Sequence, residues 1–505
     1  MLAFARQPRN LTHLRRGFGA AQSLRLKSSV APNNPDDNVI ELDDVKGPGW
    51  WWLLKLTKDP IKTRHELYDE IGRDQGVAYV RTAQGKKSLI VFNQDDIKHI
   101  YQNEGKDVTG STGLWPLVKY FTDLSGDHED NLSLNLTQSG DRWRKTRALL
   151  SPGIYSEAVA KYEPLVQEAA ARAVDYVELY TDNMSGWCQY AAFDMFSSLA
   201  LGKSKVTVDP ACNSPMKEVV NLDEKALNMA VVLHFLPKLF HPRNGYETFK
   251  GAFDQILAVT KDEVDALFSK ETIPNCWFKD LRDEQGLTRD QIVQLMGPLL
   301  SAGIATTMGL MQWMIIALLF HPEAQTKLRE EVMANLGRDK PFTKDVKMPY
   351  LDAFFRETNR FYPAAAGTGM RTLDHDLVLP YSRVRVPAGT MMEIAPIFAP
   401  RDTKHIPDAD EFKPERYLRE NIRARKGCPM GAMLDSVVSK DPFGNGARVC
   451  LGKRAAELEL RTILCELVKR YELILDPPSQ PRPLIQQRTV AVPKSFPSFK
   501  VRRLD

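Results

Sequence analysis

Cysteine is scarce in this chain and its placement excludes two common roles. Six cysteines occur in 505 residues (Cys188, Cys212, Cys276, Cys428, Cys450 and Cys465). No two form a C-x-x-C pair, and their spacing fits no zinc site. Without a disulfide framework the chain suits a reducing compartment. Net charge is also small, +4, too weak to argue for nucleic acid. No stretch interleaves aromatic and basic residues as single-strand binders do. Internal repeats and low-complexity blocks are absent. Beyond the N-terminal leader no linker-like composition divides the body, which reads as one domain.

Two further absences concern charge of one sign or of both. No acid precedes Asp36, whereas Arg6, Arg9, Arg15, Arg16, Arg25 and Lys27 alternate with Leu2, Phe4, Leu11, Leu14, Phe18 and Leu24. An Arg-rich, acid-free leader over residues 1–35 reads as an organelle transit peptide, with a disordered basic tail as the alternative. Ser28–Asp37 reads as a linker. Gln291–Pro322 contains no Asp, Glu, Lys or Arg. Length and apolarity alone make it a membrane-span candidate. Pro298, Ser301, Gly303, Thr306 and Thr307 within it favour a long helix through the centre of a large fold, opened by a Thr288-x-x-Gln291 capping box and closed at His321-Pro322.

What is present elsewhere is mostly helical spacing from about Asp95 to Leu351. Val77–Arg81 and Ser88–Phe92 suggest a hairpin across Gly85. Leu377–Leu379, Arg383–Val386, Thr390–Ile394 and parts of Arg488–Arg502 are short strand candidates. Trp50-Trp-Trp-Leu-Leu is too short to span a bilayer and either packs on the core or touches one. The expected class is mainly α with small β-sheets.

The most informative segment is Phe443-Gly-Asn-Gly-Ala-Arg-Val-Cys-Leu-Gly452. If Cys450 is a thiolate ligand of haem iron, each special residue has a task. The glycines allow close passage under a flat macrocycle. Arg448 offers a permanent cation to a propionate. Phe443 covers the sulfur. A helical pattern begins at Leu451, so the thiol sits at a helix N-terminus, where its pKa falls. The bland alternative is a buried structural cysteine in a Gly-rich turn.

This loop resembles the haem-binding signature of cytochromes P450, and other motifs carry the same resemblance. Ala302-Gly-Ile-Ala-Thr-Thr307 resembles the family's oxygen-activation groove. Small Ala302 and Gly303 leave room there for a diatomic ligand, and Thr306 steers protons. The family's acid is replaced by Ala305, so protons run through Thr306, Thr307 and water, or come from elsewhere. Glu357-Thr-Asn-Arg360 with Phe412-Lys-Pro-Glu-Arg416 resembles its structural charge triad. Trp143-Arg-Lys-Thr-Arg147 resembles its W-x-x-x-R element, and Arg371 a further propionate ligand.

The resemblance implies the cytochrome P450 fold, a long central helix over haem b, and a single catalytic domain over residues 36–505. Gly452–Glu459 is similar to mitochondrial members. A haem-thiolate monooxygenase is therefore expected, inserting one atom of O2 into an apolar sterol- or lipid-like substrate. Its electrons would come from a small acidic ferredoxin with an NADPH-dependent reductase. Docking is expected through Arg356, the Arg416–Lys426 loop and Lys453, with Asp352 against it. The resemblance further implies peripheral membrane contact through the Ala226–His241 lid, at the matrix side of the mitochondrial inner membrane. The alternatives are a reductase-independent enzyme that rearranges lipid hydroperoxides and a non-catalytic haem-binding protein.

Overall fold

The computed structural model describes residues 38–504 apart from 50–51, 83–84, 105–113, 237, 270–273, 365–368, 441 and 489. The basic leader, the Ser28–Asp37 linker, Trp50, Trp51, Pro237 and Gly367-Thr368 lie outside the described residues. Residues 40–505 form one compact unit.

The helices that build the site are α1 (Asp141–Leu150), α2 (Met184–Leu201), α3 (Pro215–Phe235), α4 (Gly245–Ser269), α5 (Arg289–Phe320), α6 (Pro349–Phe361) and α7 (Lys453–Arg470). The uncharged run is α5. Its capping box forms: Thr288 N donates to Gln291 Oε1 at 3.0 Å, and Gln291 N donates to Thr288 Oγ1. Although α5 is long and apolar enough to cross a membrane, 78% of its most apolar window is buried within the fold. Pro298 has no N–H for the Gln294 carbonyl. Ser133 Oγ donates to that carbonyl instead, at 2.7 Å. The carbonyl that Pro298 leaves open is thereby satisfied by a side chain.

Large side chains close the core around α5. Trp187, Trp277 and Trp313 are fully buried, each contributing about 1.5–3 kcal/mol or more relative to exposure. Trp313 donates to the Ala491 carbonyl at 2.8 Å and stacks on Tyr362. Gly303 has a packing cause: a Cβ there would come within 2.6 Å of the Phe196 ring on α2.

The hairpin forms as strands β1 (Val77–Arg81) and β2 (Lys87–Val91), paired Val77 to Val91. β3 (Met370–Thr372) and β4 (Met391–Ile394) complete a sheet in the order β1-β2-β4-β3. β2 pairs in parallel with β4, and β3 runs antiparallel to it with Arg371 opposite Met392. Ile40–Glu41, Val384–Val386 and Leu377–Val378 form a second small sheet, and Tyr471–Leu475 pairs with Phe499–Arg503. β3 and Tyr471–Leu475 were not evident from pattern. The first is too short for periodicity, and the second continues an apolar helical stretch without a break.

Candidate functional site

The thiol loop meets the central helix at one cavity. Cys450, Leu451, Gly452, Ala455 and Glu459 line it from the loop and α7, and Ala302, Gly303, Thr306 and Thr307 from α5. Its volume is about 340 Å3. Cys450 N donates to the Phe443 carbonyl at 2.9 Å, which closes the loop around the sulfur-bearing residue. The Phe443 ring stacks beside Phe355, and the Lys453 ammonium lies 5.8 Å from its centroid. Helix α7 begins at Lys453 with Gly452 as N-cap, slightly later than the pattern suggested. Cys188 and Cys465 are fully buried, and burial pushes their thiols far up. Burial likewise raises Cys276, to about 11. Cys450 is the one exposed cysteine of the six, and it lines this cavity.

A second cavity, of about 570 Å3, shares Asn359, Pro442 and Phe443 with the first and contains Trp143, Arg147, Arg371 and Arg448. The i,i+4 spacing on α1 brings Trp143 and Arg147 to the same place. Arg147 Nη2 donates to the Val449 carbonyl at 2.6 Å. The Arg448 guanidinium lies 4.1 Å from the Trp143 ring centroid and donates to the Gln138 carbonyl. Arg371 Nε donates to Glu104 Oε1 at 2.6 Å, and the other Glu104 oxygen accepts from Arg448 N. Burial and the Arg371 charge, with Arg147 adding and Glu104 offsetting, push the Arg448 pKa down to about 10. One buried and two half-buried cations around one carboxylate are short of counter-charge among the described residues.

These residues fit haem b, a flat apolar macrocycle with two carboxylates on one edge. The apolar cavity offers a thiol for the iron, and the arginine cavity offers partners for the carboxylates. Gly452 lines the first cavity, and a Cβ there would meet no protein atom within 4 Å, so the space beside it is available to the ring. Gly446 is required for a different reason than the macrocycle. Its φ is +77°, and a Cβ would come within 2.3 Å of the Tyr101 carbonyl oxygen, a left-handed conformation that favours glycine.

Thr306 Oγ1 donates to the Ala302 carbonyl at 2.8 Å, the i−4 bond common for helical threonine. Thr307 Oγ1 lies 3.4 Å from Glu459 Oε2, while Glu459 Oε1 has no hydrogen-bond partner among the described residues. Burial pushes the Glu459 carboxyl up to about 8, the Thr307 bond partly offsetting. Sequence reasoning missed Glu459 and Glu104. Glu459 carried a signal, an acid on the buried stripe with Ala455 and Ile463. Glu104 carried none.

Glu459 gives a pH prediction. Its unfolded value is near 4.5 and its folded value about 8. Between them the unfolded chain has released the proton and the native state keeps it, so stability falls as pH rises through that window. Glu459→Gln, neutral throughout, is expected to flatten the fall. Unfolding midpoints at about pH 5.5 and pH 8 measure it; an unchanged slope would assign the titration elsewhere.

Beneath the loop, Arg360 clamps Glu357 with Nε–Oε2 at 2.8 Å and Nη2–Oε1 at 2.7 Å. Arg416 Nε reaches Glu357 Oε1 at 3.4 Å and its Nη1 reaches Asp408 at 2.7 Å. The expected docking cations divide. Arg416 and Arg425 are buried, Arg425 being paired with Asp435 at 2.7 Å. Arg356 lies over the Tyr417 ring at 4.2 Å and burial lowers its pKa. The unfavourable Asp352 is taken up by Arg461 at 3.0 Å. Arg419, Arg423 and Lys426 remain exposed.

A family model described as Cytochrome P450 matches residues 45–501. Cytochrome P450 CYP12A2 of Musca domestica is 27% identical, covering 81% of this chain and 80% of that protein. Probable cytochrome P450 12c1, mitochondrial, of Drosophila melanogaster is 26% identical, covering 89% and 92%. Cytochrome P450 27C1 of Danio rerio is 24% identical, covering 90% and 86%.

Proposed function

Since the chain belongs to the cytochrome P450 family, whose members bind haem b through a cysteine thiolate, we propose that it is a mitochondrial, ferredoxin-dependent monooxygenase acting on an apolar, sterol- or lipid-like substrate. The observation that carries this reading is the single cavity walled by Cys450 on one side of the chain and by Ala302 and Thr306 of α5 on the other. The reaction balances as RH + O2 + two electrons + two protons giving ROH + H2O. Haem with a thiolate ligand supplies the activation of O2. The chain's own residues do the rest. Cys450 provides the sulfur. Arg147, Arg371 and Arg448 would hold the macrocycle by its carboxylates. The apolar cavity lining excludes water, and small Ala302 would leave room for O2 and substrate in the cavity. Thr306 Oγ1 holds a proton at the cavity wall.

Reconstitution with NADPH, a ferredoxin reductase, a ferredoxin and O2 over a panel of sterols and fatty acids tests the reading. Turnover confined to lipid hydroperoxides would replace it with the rearranging alternative. Thr306→Ala is expected to retain the thiolate spectrum while diverting electrons to hydrogen peroxide, lowering product per NADPH by about tenfold or more, toward the ~10²-fold contribution of a positioned proton-transfer group. Unchanged coupling would remove Thr306 from the mechanism. Exposed Arg419, Arg423 and Lys426 support docking of an acidic ferredoxin, because a basic patch steers such a partner in a salt-dependent way.

The acid-free leader and the names of the relatives support a mitochondrial location. The turn between α3 and α4 supports membrane contact: Leu239 is 87% and Phe240 66% exposed, beside Lys238. Burying each in lipid yields about 1.5–3 kcal/mol. Replacing both by glutamate is expected to weaken vesicle binding by at least ~100-fold, at tenfold per 1.4 kcal/mol. Cosedimentation equal to the parent enzyme would discard the contact.

A further inference from the structure

The family pattern places an acid on the central helix, and this chain has Ala305 there. An acid approaches the same place from another element. Asp223 of α3 is 3% exposed and bonds Ser301 Oγ of α5 closely. Ser301 lies one turn before Ala305, so the two share a face of α5. A small cavity of about 20 Å3 is lined by both Asp223 and Ala305. That exceeds the roughly 10–15 Å3 a water needs. Ala305 lines this outer cavity, Thr306 lines the inner one, and Val490 lines both. The outer cavity also contains Glu224 and Arg488, an ion pair whose side chains are 36% and 39% exposed. It therefore has an end toward bulk water.

We propose that Asp223, held by Ser301, is the entry of a proton relay to the Thr306 hydroxyl, supplying from α3 the acid that α5 lacks at position 305. This rests on the monooxygenase reading above. In each passage the Asp223 carboxyl gives its proton to water beside Ala305, and that water protonates Thr306 Oγ1 as the hydroxyl passes its own proton into the inner cavity. The remaining carboxylate accepts from Ser301 O–H and is reprotonated from bulk at the Glu224–Arg488 opening. Two passages supply the two protons of the reaction. Asp223 acts through Thr306 and is a positioning residue. Burial pushes its carboxyl up to about 7, Ser301 offsetting and Glu224 adding. The charged groups beside it are Glu224 on its own helix and Arg488, mutually paired; Ser301 of α5 and Gln189 of α2 are neutral. The donor is thus loaded below about pH 7 and depleted above it.

The test uses full-length holoenzyme. Asp223→Asn is expected to keep the thiolate spectrum and substrate-induced spin shift, and to lower product per NADPH by about tenfold or more, toward the ~10²-fold loss of a positioned proton donor. Peroxide should rise in step. The loss of coupling expected of the parent above neutral pH should be absent from this variant. Asp223→Glu should restore at least half of the coupling. Infrared spectra of the resting protein between about pH 6 and pH 8 should show a protonated carboxyl band that titrates and is absent from Asp223→Asn. Coupling equal to the parent in Asp223→Asn, or loss of coupling confined to Glu459→Gln, overturns the relay. A parent enzyme that makes no product with O2 and ferredoxin sinks the monooxygenase reading and the relay with it. In that case the infrared titration still reports the state of Asp223 independently of turnover.

Discussion

Cys450→Ser should abolish product formation and erase the red-shifted carbon monoxide band of thiolate-ligated haem. A serine hydroxyl stays protonated where a cavity-exposed cysteine can ionise, so the electron-rich ligand is lost outright. The fold should survive. Cys450 faces a cavity rather than the core, and substitutions away from packed positions usually change stability within about 0.5 kcal/mol. Cys188, Cys276 and Cys465 are the controls: buried with raised pKa values, they act as small apolar side chains. A normal band in Cys450→Ser, or its loss in Cys188→Ala alone, would move the ligand elsewhere.

The second large effect lies in the charge network under the loop. Glu357 is fully buried and accepts from Arg360, Arg416 and the Lys413 amide, the last at 2.7 Å. Arg360 also donates to the Ala409 and Glu411 carbonyls. Glu357→Ala would leave two buried guanidinium groups without their shared carboxylate, a loss of about 3–5 kcal/mol. Total stabilities of about 5–15 kcal/mol make that a large fraction. The expected result is a collapse in soluble, haem-containing protein and a much lower denaturant midpoint. Arg416→Lys is the milder arm. It keeps the charge but loses the fork that reaches Glu357, Asp408 and the 408 and 411 carbonyls. A parent-like midpoint in both would make the network dispensable.

How much of this was legible in sequence depended on the range of the interaction. The thiol loop, the capping box of α5 and the E-x-x-R pair are local spacings, and local spacing survives in a one-dimensional text. The arginine cavity is assembled from α1, β3 and the loop, and only resemblance grouped Arg147, Arg371 and Arg448. Glu104, which joins Arg371 to Arg448, follows a helix end and has no pattern at all. Asp223 and Glu459 were readable in part, as acids standing on apolar stripes, but what each faces is a tertiary fact. The proximal cations show the opposite failure. Sign of charge is written in the sequence and burial is not, so Arg416 and Arg425 look like surface and turn out to be buried, and Arg356 half-buried.

The hydroxyl that satisfies the open carbonyl of the central helix has a practical corollary. Ser133 lies in the helix Leu132–Thr137, outside the cavity walls, yet it holds the Gln294 carbonyl that Pro298 leaves open. An engineering library restricted to cavity-facing positions would therefore omit a residue that braces a helix forming one of the cavity's walls. Directed evolution toward bulkier compounds has a handle at position 133, outside the cavity lining.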